Sequence, residues 1–130
     1  ARYVEVMREV KGRYPELRVM APGFTSEWQW WNWNNGFVDG LPWMEYFVRE
    51  SARASRETGT RLIDLIDFHT YVPGNVSDAE LLQQHRIFYD ASYESPQANG
   101  CKRYPDGAWH EDQKVMRVFG RMEEWLTEHF

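Results

Sequence analysis

The stretch Leu62-Ile63-Asp64-Leu65-Ile66-Asp67-Phe68-His69-Thr70-Tyr71 decides the fold class of this chain. Its first seven residues are rich in branched apolar side chains, a pattern typical of a strand that is covered on both faces. Asp67 to Tyr71 then ends the strand with polar and aromatic residues, and Pro73-Gly74-Asn75 interrupts the chain. We therefore expect a buried strand of a parallel sheet over residues 62–68.

Helical patterns flank this strand on both sides. Gly59 is expected to end the helix that precedes it, and Ser77 to cap the helix that follows, with Glu80 completing a capping box. A further strand is expected from Leu17 to Ala21, closed by Pro22-Gly23. Apolar residues recur at helical spacing over about residues 2–13, 42–58, 78–89 and 111–129.

This alternation of helices and strands predicts the α/β class, with right-handed crossovers and a parallel sheet. Two strands cannot form a stable parallel sheet with both faces covered, and a (β/α)8 barrel needs about 250 residues. We therefore interpret residues 1–130 as one partial domain of a larger enzyme, incomplete at both ends.

Composition narrows the function classes. The 130 residues carry a net charge of −5, which argues against nucleic acid or an anionic membrane as partner, because both require a basic surface. No apolar run approaches the roughly 20 residues that span a bilayer. The lone Cys101 cannot form an internal disulfide.

Aromatic residues are unusually frequent, at 16% of the chain with seven tryptophans. Four of the tryptophans share a segment with asparagine, glutamine and glycine, which indicates a loop rather than a core strand. Flat aromatic faces stack on the C–H face of a sugar ring, and amide groups bond to its hydroxyls. The tryptophans of this candidate sugar-binding loop are Trp28, Trp30, Trp31 and Trp33.

Binding residues of parallel α/β folds gather at the carboxyl ends of the strands. His69 could bond to a sugar hydroxyl or a catalytic carboxylate there, or it could hold a neighbouring loop. Tyr71 is either a stacking partner or a rim aromatic, and Asp67 is expected to brace His69 or the loops. Glu27 is a poor general acid because it lies beyond a strand end. Trp109 is a weaker candidate in the irregular stretch before the last helix.

Asp67-x-His69 also matches the first ligand pair of metal-dependent phosphoesterases. Such a site requires further Asp, Asn and His ligands at later strand ends. Because Pro73-Gly74-Asn75-Val76 follows and no second cluster appears, no metal ligand is assigned.

The run Leu41-Pro42-Trp43-Met44 and three further blocks of the chain resemble glycoside hydrolase family 44, whose members are endoglucanases and xyloglucanases. The middle block, Glu57 to Tyr71, is similar to a turn and the strand after it in that family, where the strand ends in the motif His-x-Tyr-Pro. Arg86 to Tyr93 is similar to a downstream segment of the family, and Val19 to Gly23 to an upstream strand followed by an aromatic loop.

The resemblance implies part of a TIM-type (β/α)8 barrel, about strands 5 and 6, in a retaining endo-β-1,4-glucanase or xyloglucanase. Two glutamates perform that reaction, one as acid/base and one as nucleophile. The resemblance places both outside this chain, so no catalytic residue is assigned. It further implies a secreted protein with a β-glucan or xyloglucan substrate and no cofactor, although a structural calcium ion could brace a loop. The rest of the barrel is expected to be needed for folding.

The alternative is a non-catalytic carbohydrate-binding or protein-interaction domain. For the hydrolase, the substrate-binding residues are predicted to be His69, Tyr71, Trp28, Trp30, Trp31, Trp33 and Trp109.

Overall fold

The computed structural model describes residues 2–24, 38–69, 76–93 and 118–130, which combine helices with a small parallel sheet. The expected α/β class is confirmed at this level. In chain order the elements are α1 (Arg2–Arg13), β1 (Met20–Phe24), α2 (Trp43–Thr58), β2 (Leu65–Phe68), α3 (Asp78–Leu81), a 3-10 helix (Gln84–Phe88) and α4 (Val118–His129).

The two strands are parallel neighbours, and the connection between them contains α2. Met20 lies opposite Leu65, and Pro22 lies opposite Asp67. The register shifts between Pro22 and Phe24, where Gly23 adopts a positive φ of 72°. A strand, a crossover helix and a second parallel strand form a βαβ unit, which brings both carboxyl ends to one edge of the sheet.

The predicted bounds of both strands were wrong. The strands begin later than expected, at Met20 and Leu65, because Asp64 holds the residues that precede them. Its carboxylate accepts the N–H of Val19 at 2.7 Å, and its own N–H donates to the carbonyl of Val19 at 2.9 Å. Pro22 lies inside β1 rather than after it. Proline has no N–H to donate, and an edge strand tolerates this because one of its sides forms no strand pairing.

The first two helices match their predicted ranges closely. Gly59 ends α2 in the left-handed conformation, with a φ of 64°, and its N–H bonds back to the last turn of the helix. Pro42 stands at the N-cap of α2, one position before the first turn in which it was expected.

The helix predicted over residues 78–89 was wrong in length. The capping box of Ser77 and Glu80 is present, but α3 ends at Leu81 and a 3-10 helix follows. Gln84 and Ile87 are buried, whereas Leu82 is exposed. Residues three apart lie on one side of a 3-10 helix, so this geometry directs both Gln84 and Ile87 inward. Residues 111–117 of the predicted last helix lie outside the described residues.

The core lies between α2, α4 and one face of the sheet. Trp125 and Met122 of α4 pack with Met44 and Val48 of α2, and Ala21 faces them from β1. The opposite face of the sheet is open, since Met20 is 61% exposed and Leu65 is 44% exposed. Within the described ranges, no helix combines the length and the apolar character that crossing a membrane requires.

Candidate functional site

The carboxyl ends of β1 and β2 meet, as the sequence predicted. Asp67 lies opposite Pro22 in the parallel register, and its carboxylate lies close to Gly23. A Cβ atom added to Gly23 would stand 3.4 Å from Asp67 Oδ2. That distance is an ordinary van der Waals contact, so glycine is favoured at this position by its positive φ of 72° rather than by crowding.

Asp67 also contacts His69, the first of the predicted sugar-binding residues. The Nε2 atom of His69 is 3.3 Å from Oδ1 and 3.4 Å from Oδ2 of Asp67. Asp67 lies in β2 and His69 follows one residue after its end, so the alternation of an extended chain brings the two side chains to the same side. The contact matches the expectation that Asp67 braces His69.

This contact determines what His69 can offer a ligand. When Nε2 carries a proton, it donates to the carboxylate, which accepts hydrogen bonds. In a neutral ring Nδ1 is then an acceptor, and in a protonated ring it is a donor. The exposed imidazole can therefore bond to a hydroxyl group in either state.

The other predicted binding residues fall outside the part of the chain that the structure describes. They are Tyr71, Trp28, Trp30, Trp31, Trp33 and Trp109, and Glu27 falls outside it as well. Among the described residues, no third potential ligand joins Asp67 and His69 to form a group that could hold a metal ion.

A groove of about 660 Å³ lies between α1, α2 and β1. Its walls are α1 and α2, and β1 lines its base. The rings of Trp43 and Phe47 stack at 5.3 Å in one wall, and Tyr3 meets Phe47 edge-on at 5.0 Å. Such a volume is in the range of small-molecule sites.

Opposite charges pair along the rim of this groove. Arg8 of α1 reaches Glu57 of α2 at 3.5 Å, and Arg53 bridges Glu50 and Glu57. These pairs are exposed, so each contributes little stability. Because these side chains pair with one another, they are not available to pair with a charged ligand. The aromatic wall is therefore the main binding feature of the groove.

A second cluster was missed by the sequence predictions. Glu45, at the start of α2, lies beside Glu128 and His129, at the end of α4, with one potential ligand atom from each within 4.8 Å of the others. No local motif signals this cluster, because its members come from helices that are distant in the sequence and meet only through packing.

Comparison of the chain with protein-family models, with curated proteins and with solved structures found no match.

Proposed function

We propose that this chain is a segment of a secreted, retaining endo-β-1,4-glucanase or xyloglucanase with a (β/α)8 barrel. In this proposal the segment forms part of the wall of the substrate cleft. The catalytic glutamates belong to strands outside residues 1–130. The barrel and the activity rest on the resemblance, and two structural observations support them.

The first observation is the open face of the sheet. Met20 and Leu65 are paired across the two strands on that face and are exposed. Parallel sheets of soluble proteins are normally covered on both faces. In a (β/α)8 barrel this face would point inward and pack against side chains of other strands. The adjacent strands and their crossover helix form a βαβ unit, which barrels of this kind repeat and which other parallel α/β folds share.

The second observation, which carries the proposal, is the pair of His69 and Asp67 at the carboxyl ends of the strands. Barrel enzymes bind their substrates at this end. Asp67 restricts the orientation of the imidazole, and Nδ1 then bonds to a sugar hydroxyl. Tyr71 and the four tryptophans of the aromatic loop would supply the stacking surfaces beside it.

A binding experiment tests this role. The protein is titrated with cello-oligosaccharides and with xyloglucan oligosaccharides while tryptophan fluorescence is recorded. We expect His69→Ala to weaken binding about two- to tenfold, because a hydrogen bond contributes roughly 0.5–1.5 kcal/mol. His85→Ala is the matched control, since His85 is also exposed but lies on the 3-10 helix. Equal effects of the two variants would contradict the role of His69.

Catalysis gives a separate test of the proposal. We expect the 130-residue chain alone to hydrolyse neither carboxymethylcellulose nor xyloglucan, since both glutamates are proposed to lie outside it. Measurable turnover would overturn that assignment. If circular dichroism shows the chain to be folded, the absence of a fluorescence response to any oligosaccharide would favour a protein-interaction domain instead. Oligosaccharide binding by a protein whose full sequence contains no hydrolase domain would favour a carbohydrate-binding domain.

A further inference from the structure

The cluster of Glu45, Glu128 and His129 joins the first turn of α2 to the last turn of α4. It shares no residue with the proposed carbohydrate site. Each residue offers one atom of the kind that binds transition metals: a carboxylate oxygen from Glu45 and from Glu128, and an imidazole nitrogen from His129.

The state of His129 is the independent reason to consider a ligand here. Its Nε2 atom is buried and has no hydrogen-bond partner. The side chain is only 12% exposed, and that of Glu45 only 14%. Buried polar atoms in proteins are almost always satisfied, so an orphaned nitrogen that faces a carboxylate calls for an explanation.

The spacing of the two atoms supplies one. His129 Nε2 is 3.5 Å from Glu45 Oε1, which is too long for a good hydrogen bond. Two ligands of a tetrahedral zinc ion, bound at about 2.0–2.2 Å, stand about 3.3–3.6 Å apart. The observed separation of this long ion pair is therefore also the spacing that two ligands of one zinc ion would have.

The electrostatics of the cluster also favour a cation. The carboxylates of Glu45 and Glu128 are neighbours in the cluster, and Arg49 is a nearby cation. Arg49 is itself engaged by Asp39 and Glu50. The carboxyl end of α4 adds the negative end of a helix dipole, which attracts positive charge. A divalent ion would offset both carboxylates at once.

We propose that Glu45, Glu128 and His129 form a zinc site that fastens the end of α4 to the start of α2. His129 Nε2 is the buried ligand, Glu45 Oε1 is its half-buried neighbour, Glu128 closes the site from the exposed side, and water completes the tetrahedron. The imidazole ligand selects zinc or a similar transition metal over calcium and magnesium, which prefer oxygen ligands alone.

The test is zinc binding by the whole protein after treatment with a chelator and dialysis. Isothermal titration with zinc sulfate is expected to give one ion per chain from this site, and cobalt substitution to give the visible absorption of a tetrahedral ion. Saturating zinc should raise the Tm by several degrees, because the ion binds only the folded cluster.

Two variants locate the ion. Glu45→Gln keeps the shape of the side chain and removes its charge, and His129→Ala removes the imidazole; each should weaken zinc binding at least tenfold. Glu123→Gln, on an exposed position of α4, and His85→Ala are the matched controls and should bind like the parent.

Circular dichroism identifies any variant that fails to fold, and Glu45→Gln then decides alone. Zinc that binds elsewhere on the chain would leave both variants unaffected and would overturn the proposal, as would the absence of binding to the parent protein. Neither outcome bears on the carbohydrate site.

Discussion

Replacing Asp64 by asparagine should destabilise the protein more than any comparable change on its surface. Asp64 Oδ2 accepts hydrogen bonds from Lys11 Nζ and from the N–H of Val19, each at 2.7 Å. The Lys11 side chain is only 6% exposed and that of Asp64 18%. Lys11 also donates to the carbonyl of Leu17. These bonds connect α1 to the backbone that leads into both strands.

The magnitude follows from burial. Removing one charge of a buried pair typically costs about 3–5 kcal/mol, because the other charge stays buried without compensation. The remaining exposure of Asp64 places the expected loss at the lower end, about 3 kcal/mol of unfolding free energy. The amide oxygen of the Asp64→Asn variant would still accept the Val19 N–H, so the loss measures mainly the uncompensated ammonium of Lys11.

Urea unfolding followed by tryptophan fluorescence measures this change. The control is Arg13→Met, which breaks an exposed pair with Glu9 on the same helix and should cost no more than about 0.5 kcal/mol. Adding Lys11→Met to Asp64→Asn should recover part of the stability, because it removes the unpaired charge. If Asp64→Asn lowered the free energy of unfolding no more than Arg13→Met does, the argument that Lys11 and Asp64 form a buried ion pair would be refuted.

Two further predictions concern a glycine and a carboxylate. Gly59→Ala should lower the free energy of unfolding by about 1 kcal/mol because φ at this position is positive, although no atom lies within 4 Å of the added Cβ. Gly12→Ala, which is equally open but lies inside α1, should raise the free energy of unfolding by about 0.5–1 kcal/mol. Changes of the same sign for both variants in thermal or urea unfolding would contradict the backbone argument. Hydrogen bonds from Ser92 and, to a lesser extent, from Arg86 lower the pKa of Asp90 to about 2. The contribution of the ionised Asp90 to stability should therefore be complete above about pH 4 and be lost as the pH falls toward 2. A carboxyl-carbon NMR titration measures this pKa, which Ser92→Ala should raise, and an ordinary pKa for Asp90 in the parent protein would refute the argument.

Local signals in the sequence were sufficient for some features of the fold. The bounds of α1 and α2 follow from apolar spacing, and Gly59 marks a helix end because few other residues tolerate its conformation. The capping box of Ser77 and Glu80 is likewise a matter of residues three positions apart. Each of these features depends on neighbours in the chain, which a sequence displays directly.

Features that depend on distant residues could not be predicted in this way. The late start of both strands is caused by Asp64, whose partners in α1 and before β1 are far from it in the sequence. The cluster of Glu45 and His129 arises only when α2 and α4 pack. The alternation of helices and strands predicted the parallel sheet that brings the strand ends together, but which nitrogen of His69 faces Asp67 depends on the side-chain geometry of the folded protein.

Leu62 shows how a short connection can resist change. Its N–H donates to the buried hydroxyl of Ser55 in α2, at 3.1 Å, and its carbonyl accepts from the hydroxyl of Tyr3 in α1, at 2.9 Å. Surface connections usually tolerate inserted residues, because their backbone groups can exchange one partner for water. In residues 59–64 an insertion would separate Leu62 from one helix or the other and leave a buried group unsatisfied. The length of this connection is therefore as constrained as the composition of the core.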